Sequence, residues 1–195
     1  GNGASVTAVD GGRSVDTSMG FTPLEGLTMG TRSGDLDPAI ISFIAHKEKM
    51  SLDQMIEFLN TECGVLGISG ISNDFRDLEM AADKGDKRAK IALEVFAYDV
   101  KRYISAYAGI MNGIDALVFT AGIGENSPEI RQLICENLTY LGLEIDPYKN
   151  RDVIGEESEI STSRSRPILV IPTNEELMIA LETQGIVTAA QESFA

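Results

Sequence analysis

The sequence is poor in the residues that usually mark a metal centre, a disulfide framework or a redox site. It has no tryptophan, one histidine and two cysteines among 195 residues. Cys63 and Cys135 lie far apart and neither belongs to a CxxC pair, which disfavours a zinc cage and favours two reduced thiols in a cytoplasmic protein. His46 lies in the charged segment AHKEKM, which favours a solvated side chain over a catalytic one.

Long apolar runs and positive charge are scarce as well. No apolar run approaches the roughly 20 residues that a membrane-spanning helix needs. Sixteen basic residues against 30 acidic ones give a net charge of −14. Such a surface repels nucleic acid and anionic lipid, so neither a nucleic acid nor a membrane is an expected partner. A phosphate ligand would have to be held by local hydrogen-bond donors and a bound cation.

The order strand, loop, helix occurs twice, in ALVFTAGIGENSPEI (residues 116–130) and in PILVIPTNEEL (residues 167–177). Continuous apolar strands followed by helices predict an α/β sheet with helices on both faces. Ligands of such sheets lie beyond the carboxyl ends of the strands. Both loops are therefore candidates for one site.

Several further elements can be predicted from local signals. DGG between two alternating segments predicts a hairpin over residues 1–18. Helices are expected from Asp37, from Ser51 with Gln54 completing a capping box, and over residues 87–111. Ser127 followed by Pro128 predicts another helix start.

Other segments give weaker signals. GVLGISGISNDFRD is punctuated by glycine and is expected to lack regular structure. LGLEID is typical of a short strand, and the polar residues 146–166 are expected to form a surface excursion. The last helix is expected to begin with a capping box of Thr173 and Glu176.

The loop GIGEN combines glycines with the start of a helix. Glycine lets backbone N–H groups approach a phosphate closely, and a helix N-terminus adds partial positive charge. The spacing alone leaves a plain strand-to-helix turn equally open. The P-loop pattern GxxxxGK[ST] is absent, and Ser127 stands where a dinucleotide fingerprint has its third glycine or alanine.

Four other places could contribute chemistry, and each has a purely structural alternative. The glycines of GNG could cradle a phosphate or simply belong to a hairpin. SNDFRD could offer an aromatic and an arginine to a nucleotide, or a surface ion pair beside a buried phenylalanine. Arg32 could stabilise a phosphoryl group in transit or make a salt bridge. Glu175 could bind magnesium or complement a helix dipole.

Taken together, five segments closely resemble successive motifs of the acetate kinase family. They are GNGASV, DTSMGFTPLEGLTMGTRSGDLDP, SGISNDFRD, LVFTAGIGENS and IPTNEE. The resemblance implies an α/β, ribonuclease-H-like (actin-like ATPase) domain. Its mixed central sheet would have an opening antiparallel hairpin and helices on both faces. It also implies reversible phosphoryl transfer between ATP and acetate, giving acetyl phosphate and ADP, with Mg²⁺ or Mn²⁺.

The resemblance also implies roles for particular residues. Arg32 matches the arginine that stabilises the transferring phosphoryl group, and Glu175 matches a magnesium ligand. The residues that match nucleotide contacts are Gly1, Asn2, Gly3, Asp74, Phe75, Arg76, Gly122, Ile123, Gly124, Glu125 and Asn126.

Family members are about twice this length, so the resemblance covers their carboxy-terminal half. Residues 1–172 would form the ATPase half, and residues 173–195 would return to the absent amino-terminal half. The chain alone is then expected to be inactive and to dimerise, with the helix over residues 87–111 as one contributor. A propionate or butyrate kinase is an alternative, to be separated by substrate chain length. A non-catalytic actin-like nucleotide-binding module is a further alternative, against which the stretch around Arg32 argues.

Overall fold

The computed structural model describes residues 2–193, and the side chains up to residue 189. Gly1, one of the predicted nucleotide contacts, lies outside the described residues. The chain opens with strands β1 (Thr7–Asp10) and β2 (Arg13–Thr17), which pair antiparallel. Gly11 and Gly12 between them have φ of 56° and 78°, the left-handed backbone that a tight hairpin turn requires. The predicted hairpin is confirmed.

A second, mixed sheet contains β3 (Leu117–Phe119), β4 (Ser158–Glu159) and β5 (Ile168–Val170) in the order β3-β5-β4. β3 and β5 are parallel, whereas β4 is antiparallel to β5. Both predicted apolar strands are therefore neighbours, and the loops that follow them leave the same edge of the sheet.

Nine α-helices, and a 3-10 helix over Thr139–Leu141, are present within residues 2–193. The α-helices are α1 (Pro38–Glu48), α2 (Leu52–Thr61), α3 (Gly64–Ser69), α4 (Phe75–Asp83), α5 (Lys87–Ile110), α6 (Ala121–Asn126), α7 (Pro128–Cys135), α8 (Pro147–Asp152) and α9 (Glu175–Ser193). The predicted starts of α1, α2 and α7 are confirmed: Asp37 caps α1, Ser51 and Gln54 form the capping box of α2, and Ser127 caps α7 ahead of Pro128.

Helix α5 is the central helix of the core. Its buried face includes Phe96, Val100 and Ile104, and it packs against α3, α4 and α7. Phe75 of α4 meets Phe96 edge to face, with 4.7 Å between ring centroids. Because α3, α4 and α7 share this one support, α5 determines where the segments that precede α4 and α7 emerge.

The prediction that GVLGISGISNDFRD lacks regular structure is wrong, because residues 64–69 form α3 and α4 begins at Phe75. Gly64 has a φ of 62°, and a Cβ there would lie 2.3 Å from the Met29 carbonyl oxygen. The N–H of Val65 donates to that carbonyl at 2.8 Å. Glycine here permits a close tertiary contact, not a break in structure.

The predicted strand in LGLEID is also wrong, because this segment contributes only an isolated bridge between Ile145 and Ser161. Most of residues 146–166 are exposed, as predicted. The segment nevertheless contains α8 and β4, and it buries Ile160, Ser161 and Asn150. Its polar composition concealed a buried hydrogen-bond network, because polar residues that are fully paired can be buried at little cost.

The predicted reduced state of the two cysteines is consistent with the structure, in which both are free. Cys135 is buried, and burial raises the pKa of its thiol to about 12. Among the described residues, no helix has the length and apolarity needed to cross a membrane.

Candidate functional site

The opening glycine segment, the Arg32 loop and the residues before α4 lie together. The N–H of Gly30 donates to the Asn2 carbonyl at 3.0 Å, and the Asn73 side chain donates to the Asn2 side-chain oxygen. A Cβ on Gly3 would lie 3.1 Å from Nη1 of Arg32. Three separate sequence motifs thus meet around residues 2 and 3.

Arg32 carries a positive charge within this group. It is half-buried, and Nη1 makes only a long contact of 3.4 Å with the Pro23 carbonyl and one of 3.8 Å with Sδ of Met29. No carboxylate pairs with it among the side chains that the structure describes, up to residue 189. The salt-bridge alternative therefore lacks a partner here, and the guanidinium retains donors for an anion.

At the start of α4, Asp74 and Arg76 pair with each other. Asp74 caps the helix by accepting the Arg76 N–H at 2.9 Å, and the Arg76 guanidinium donates to the same carboxylate at 2.6 Å. These hydrogen bonds hold the pKa of Asp74 at about 2. The ring of Phe75 is buried against Phe96, so it is not free to stack on a base. Locally, the structure matches the alternative of a surface ion pair beside a buried phenylalanine.

GIGEN is part of a short helix, α6, where the sequence predicted a loop. Ala121 opens the helix with a φ of 58°, a strained conformation for a residue with a side chain. Thr120 provides no side-chain cap, and Gly122 is exposed. Asn126 donates from its side chain to the Gly122 carbonyl at 2.8 Å, which closes the helix internally.

A fully buried arginine, Arg131 of α7, holds α6 in place through hydrogen bonds to its backbone. Its guanidinium donates to the carbonyls of Gly124 (2.8 Å), Glu125 (3.0 Å), Asn150 (3.0 Å) and Val153 (2.7 Å), and to the Asn150 side chain (2.8 Å). Burial lowers the pKa of Arg131, and five acceptors compensate for the lost water. Arg131 thus clamps α6 to α8.

Sequence reasoning missed Arg131. The available signal was its position between Ile130 and Ile134, on the face of α7 that packs into the core. An arginine on an apolar helix face is rarely buried without several acceptors. That position pointed to backbone carbonyls nearby, but the pattern could not say which ones.

Glu125 joins the loops that follow the two parallel strands. Its Oε1 accepts from the N–H of Thr173 at 2.8 Å and from the Thr173 hydroxyl at 3.1 Å. The predicted capping box of Thr173 and Glu176 is therefore wrong: Asn174 instead accepts the Leu177 N–H at 3.0 Å. Glu175 follows directly and is exposed at the first turn of α9.

A cleft of about 670 Å³ between β1 and β3 brings the glycine segments together. Gly3, Gly122 and Gly124 all border it, while its interior is apolar, with Val6 and Leu117 among its walls. The hydroxyl of Ser127 also hydrogen-bonds to Glu79 of α4, which links the region after α6 to the helix that carries residues 74–76. The predicted site segments therefore occupy one region and not opposite sides of the molecule.

A cation site is incomplete within this chain. Among the described side chains, no three of His, Cys, Asp or Glu converge in a group that could hold a metal ion. Glu175 is exposed at the first turn of α9, and Glu125 is committed to Thr173. Magnesium in phosphoryl-transfer sites is often held by one or two carboxylates together with substrate phosphates. The donor set fits that shared arrangement and not an all-protein cage.

Comparisons with known proteins identify the family of the chain. A profile of the acetokinase family matches residues 1–181. The acetate kinase of Desulfitobacterium hafniense (strain DSM 10664 / DCB-2) is 59% identical over 188 residues, which cover 96% of this chain and 47% of that protein. The chain spans about half the length of the curated relatives it matches.

Solved structures give the same result for the fold. The crystal structure of Porphyromonas gingivalis acetate kinase superposes with a TM-score of 0.92 at 42% identity, covering 95% of this chain and 47% of that one. A propionate kinase from Francisella tularensis subsp. tularensis SCHU S4 gives a TM-score of 0.86 at 48% identity, covering 92% and 46%. These superpositions confirm the predicted α/β, actin-like ATPase fold.

Proposed function

Because the chain belongs to the acetokinase family, we propose that it is the nucleotide-binding half of an acetate kinase. The reaction is reversible transfer of a phosphoryl group from ATP to acetate, giving acetyl phosphate and ADP. The observation that carries the proposal is that Gly3 and the α6 segment, far apart in sequence, border one cleft, and that Arg32 lies beside Gly3.

In this proposal the adenine nucleotide lies across the mouth of that cleft. Backbone N–H groups near Asn2, Gly3 and residues 122–124 would donate to phosphate or ribose oxygens, and each such charge-assisted bond contributes about 1.5–3 kcal/mol. Asp74, Phe75 and Arg76 at the start of α4, together with Glu125 and Asn126, would complete the contacts. Since Phe75 is buried, its contribution would come from the backbone.

Arg32 is the catalytic group of the proposal. An unpaired guanidinium beside Gly3 can donate to the phosphoryl oxygens as negative charge redistributes in the transition state. It has no carboxylate partner among the described side chains, which supports this role, because no ion pair has to break before Arg32 can bind an anion.

A divalent cation, Mg²⁺ or Mn²⁺, would be held by Glu175 together with the nucleotide phosphates. The cation would supply positive charge that the strongly acidic chain does not. The bond from Thr173 to Glu125 keeps the Glu175 loop next to α6, which supports placing the cation between the two segments.

The remaining catalytic groups would lie on a second half, so the chain alone should be inactive. Helix α9 supports this division. Its apolar residues are 49–69% exposed, namely Leu177, Met178, Ile179, Leu181, Ile186 and Val187. We infer that α9 docks on the other half, with residues 1–172 forming the ATPase half.

A homodimer and a cytoplasmic location complete the proposal. On α5, Ile91, Tyr98 and Ile110 are exposed and available for an interface.

A propionate kinase is the second candidate, supported by the 48% identity to the Francisella protein. The two are separated by assaying the full-length enzyme with acetate, propionate and butyrate. If the protein is an acetate kinase, kcat/KM should be highest with acetate.

Titration calorimetry with Mg-ADP on the same protein tests the nucleotide site itself, and failure to bind would overturn the proposal.

A further inference from the structure

Helices α4 and α7 both pack on α5, but they belong to separate stretches of the chain. The start of α4 carries residues 74–76, and α7 directly follows the α6 segment. Within residues 2–193, one side-chain hydrogen bond joins α4 to α7, from the Ser127 hydroxyl to the Glu79 carboxylate. Their relative position otherwise depends on packing against α5.

Ser127 is a buried residue whose N–H and hydroxyl group both make hydrogen bonds. Its N–H donates to the Ile123 carbonyl at 3.0 Å and ends α6, while its hydroxyl oxygen accepts the Ile130 N–H at 3.1 Å and caps α7. The hydroxyl proton is directed to Glu79. The orientation of this one side chain is therefore coupled to the end of one helix, the start of the next and a residue of α4.

Glu79 lies about one turn along α4 from Phe75 and Arg76. It is half-buried, and the acidic groups that face it are Glu129, Asp83 and Asp74. A carboxylate in this acidic, partly dry position has no salt-bridge partner among the described residues. Its placement is unfavourable for charge, and the hydrogen bond from Ser127 is the compensating contact that the structure provides.

We propose that Glu79 is a positioning residue that holds the start of α4 at a fixed spacing from the α6–α7 junction. This inference rests on the proposed function, in which both segments contact the nucleotide. Glu79 itself does not touch the ligand. It acts through Ser127, and what it requires is an acceptor of the right length, not a negative charge.

Two substitutions separate length from charge. Glu79→Gln keeps the side-chain length and an oxygen acceptor but removes the charge. Glu79→Asp keeps the charge but shortens the side chain by one methylene group, so it cannot reach Ser127 without movement. Glu94→Asp on α5 is the matched control, since Glu94 is exposed and forms a surface ion pair with Lys90.

The test uses the full-length kinase, with the dissociation constant of Mg-ADP measured by calorimetry and KM measured for ATP and for acetate. We expect Glu79→Asp to raise the Mg-ADP dissociation constant about three- to tenfold and KM for ATP in parallel, with KM for acetate unchanged. Glu79→Gln and Glu94→Asp should resemble the wild type. Equal weakening by Gln and Asp, or no weakening by Asp, would overturn the inference.

Hydrogen exchange measured without nucleotide tests the positioning role of Glu79 independently of the proposed function. Without nucleotide, Glu79→Asp should speed exchange of the N–H groups of Ser127 and Ile130 while that of α5 stays unchanged. If Glu79→Asp leaves the exchange rates of the Ser127 and Ile130 N–H groups unchanged, the positioning role is overturned even in an active kinase. A wild type that binds no nucleotide, with exchange still responding to Glu79→Asp, would overturn only the nucleotide assignment.

Discussion

The carboxylate of Glu125 accepts two hydrogen bonds from Thr173, one from its N–H and one from its hydroxyl. Glu125 follows β3 and Thr173 follows β5, so one side chain closes the edge where two parallel strands end. A residue predicted to contact the nucleotide directly is occupied with holding the neighbouring loop. This geometry gives Glu125 a structural task next to Glu175.

We therefore expect Glu125→Ala to release the loop before α9 and to weaken binding of the magnesium–nucleotide complex. The dissociation constant of Mg-ADP should rise about tenfold, because two charge-assisted hydrogen bonds at a partly exposed site are lost. Calorimetry at several magnesium concentrations measures the effect. Glu176→Ala, in the same turn as Glu175, is the control and should bind like the wild type. Equal effects from both substitutions would contradict the role of the Thr173 contact.

Substitution of Arg32 tests the phosphoryl-transfer assignment. In the full-length enzyme, Arg32→Ala should lower kcat about 10²–10³-fold, the usual cost of removing one donor to a developing anion. The affinity for Mg-ADP should change little, because the nucleotide contacts remain. Steady-state kinetics with calorimetry separate the two effects. Arg13→Ala, on the exposed hairpin, should leave both unchanged, and activity retained by Arg32→Ala would refute the assignment.

Removal of the buried guanidinium of Arg131 should destabilise the protein. Arg131→Met leaves four backbone carbonyls around α6 and α8 without their donor, so the free energy of unfolding should fall by about 3 kcal/mol or more. Arg131→Lys should recover only part of this loss, since an ammonium group cannot reach all five acceptors. Urea denaturation monitored by circular dichroism measures both. Arg151→Met is the control, since Arg151 of α8 is exposed, and equal stability of the two Met variants would contradict the clamp.

Glycine at position 64 should be required by contact and not by chain flexibility. Gly64→Ala would place a Cβ 2.3 Å from the Met29 carbonyl oxygen at a φ of 62°. We expect a loss of at least about 2 kcal/mol in the free energy of unfolding. Gly109→Ala in α5 meets no atom within 4 Å and should stabilise the protein by about 0.5–1 kcal/mol. A tolerated Gly64→Ala would show that α3 can move away from Met29.

The half-buried carboxyl of Glu79 predicts a pH-dependent difference in stability. Burial raises its pKa above the ordinary 4.5, so the folded state binds a proton more tightly than the unfolded state. Glu79 therefore contributes fully to the free energy of unfolding below pH 4.5, and this contribution is lost as pH rises through the folded-state pKa. Glu79→Gln should therefore be more stable than the wild type at neutral pH, with the difference disappearing towards pH 4. Thermal denaturation across this range tests it, and a difference independent of pH would contradict the assignment.

The local elements followed from the sequence because their causes are local. DGG specified the hairpin, Ser51 with Gln54 specified the start of α2, and the apolar runs at residues 117–119 and 168–170 specified the two strands. Each of these signals acts over a few residues. The long motifs around GNG, Arg32 and GIGEN likewise carried the family and the candidate site residues.

Only the tertiary structure determined which distant residues the polar residues and glycines contact. The glycine at position 64 permits contact with Met29, Arg131 reaches the carbonyls of α6 and α8, and Thr173 turns to Glu125 while Asn174 caps α9. The sequence shows that a buried donor or acceptor must have a hydrogen-bond partner, but several groups could be that partner. Which one does so depends on the packing of distant segments around α5, and packing is a property of the whole fold.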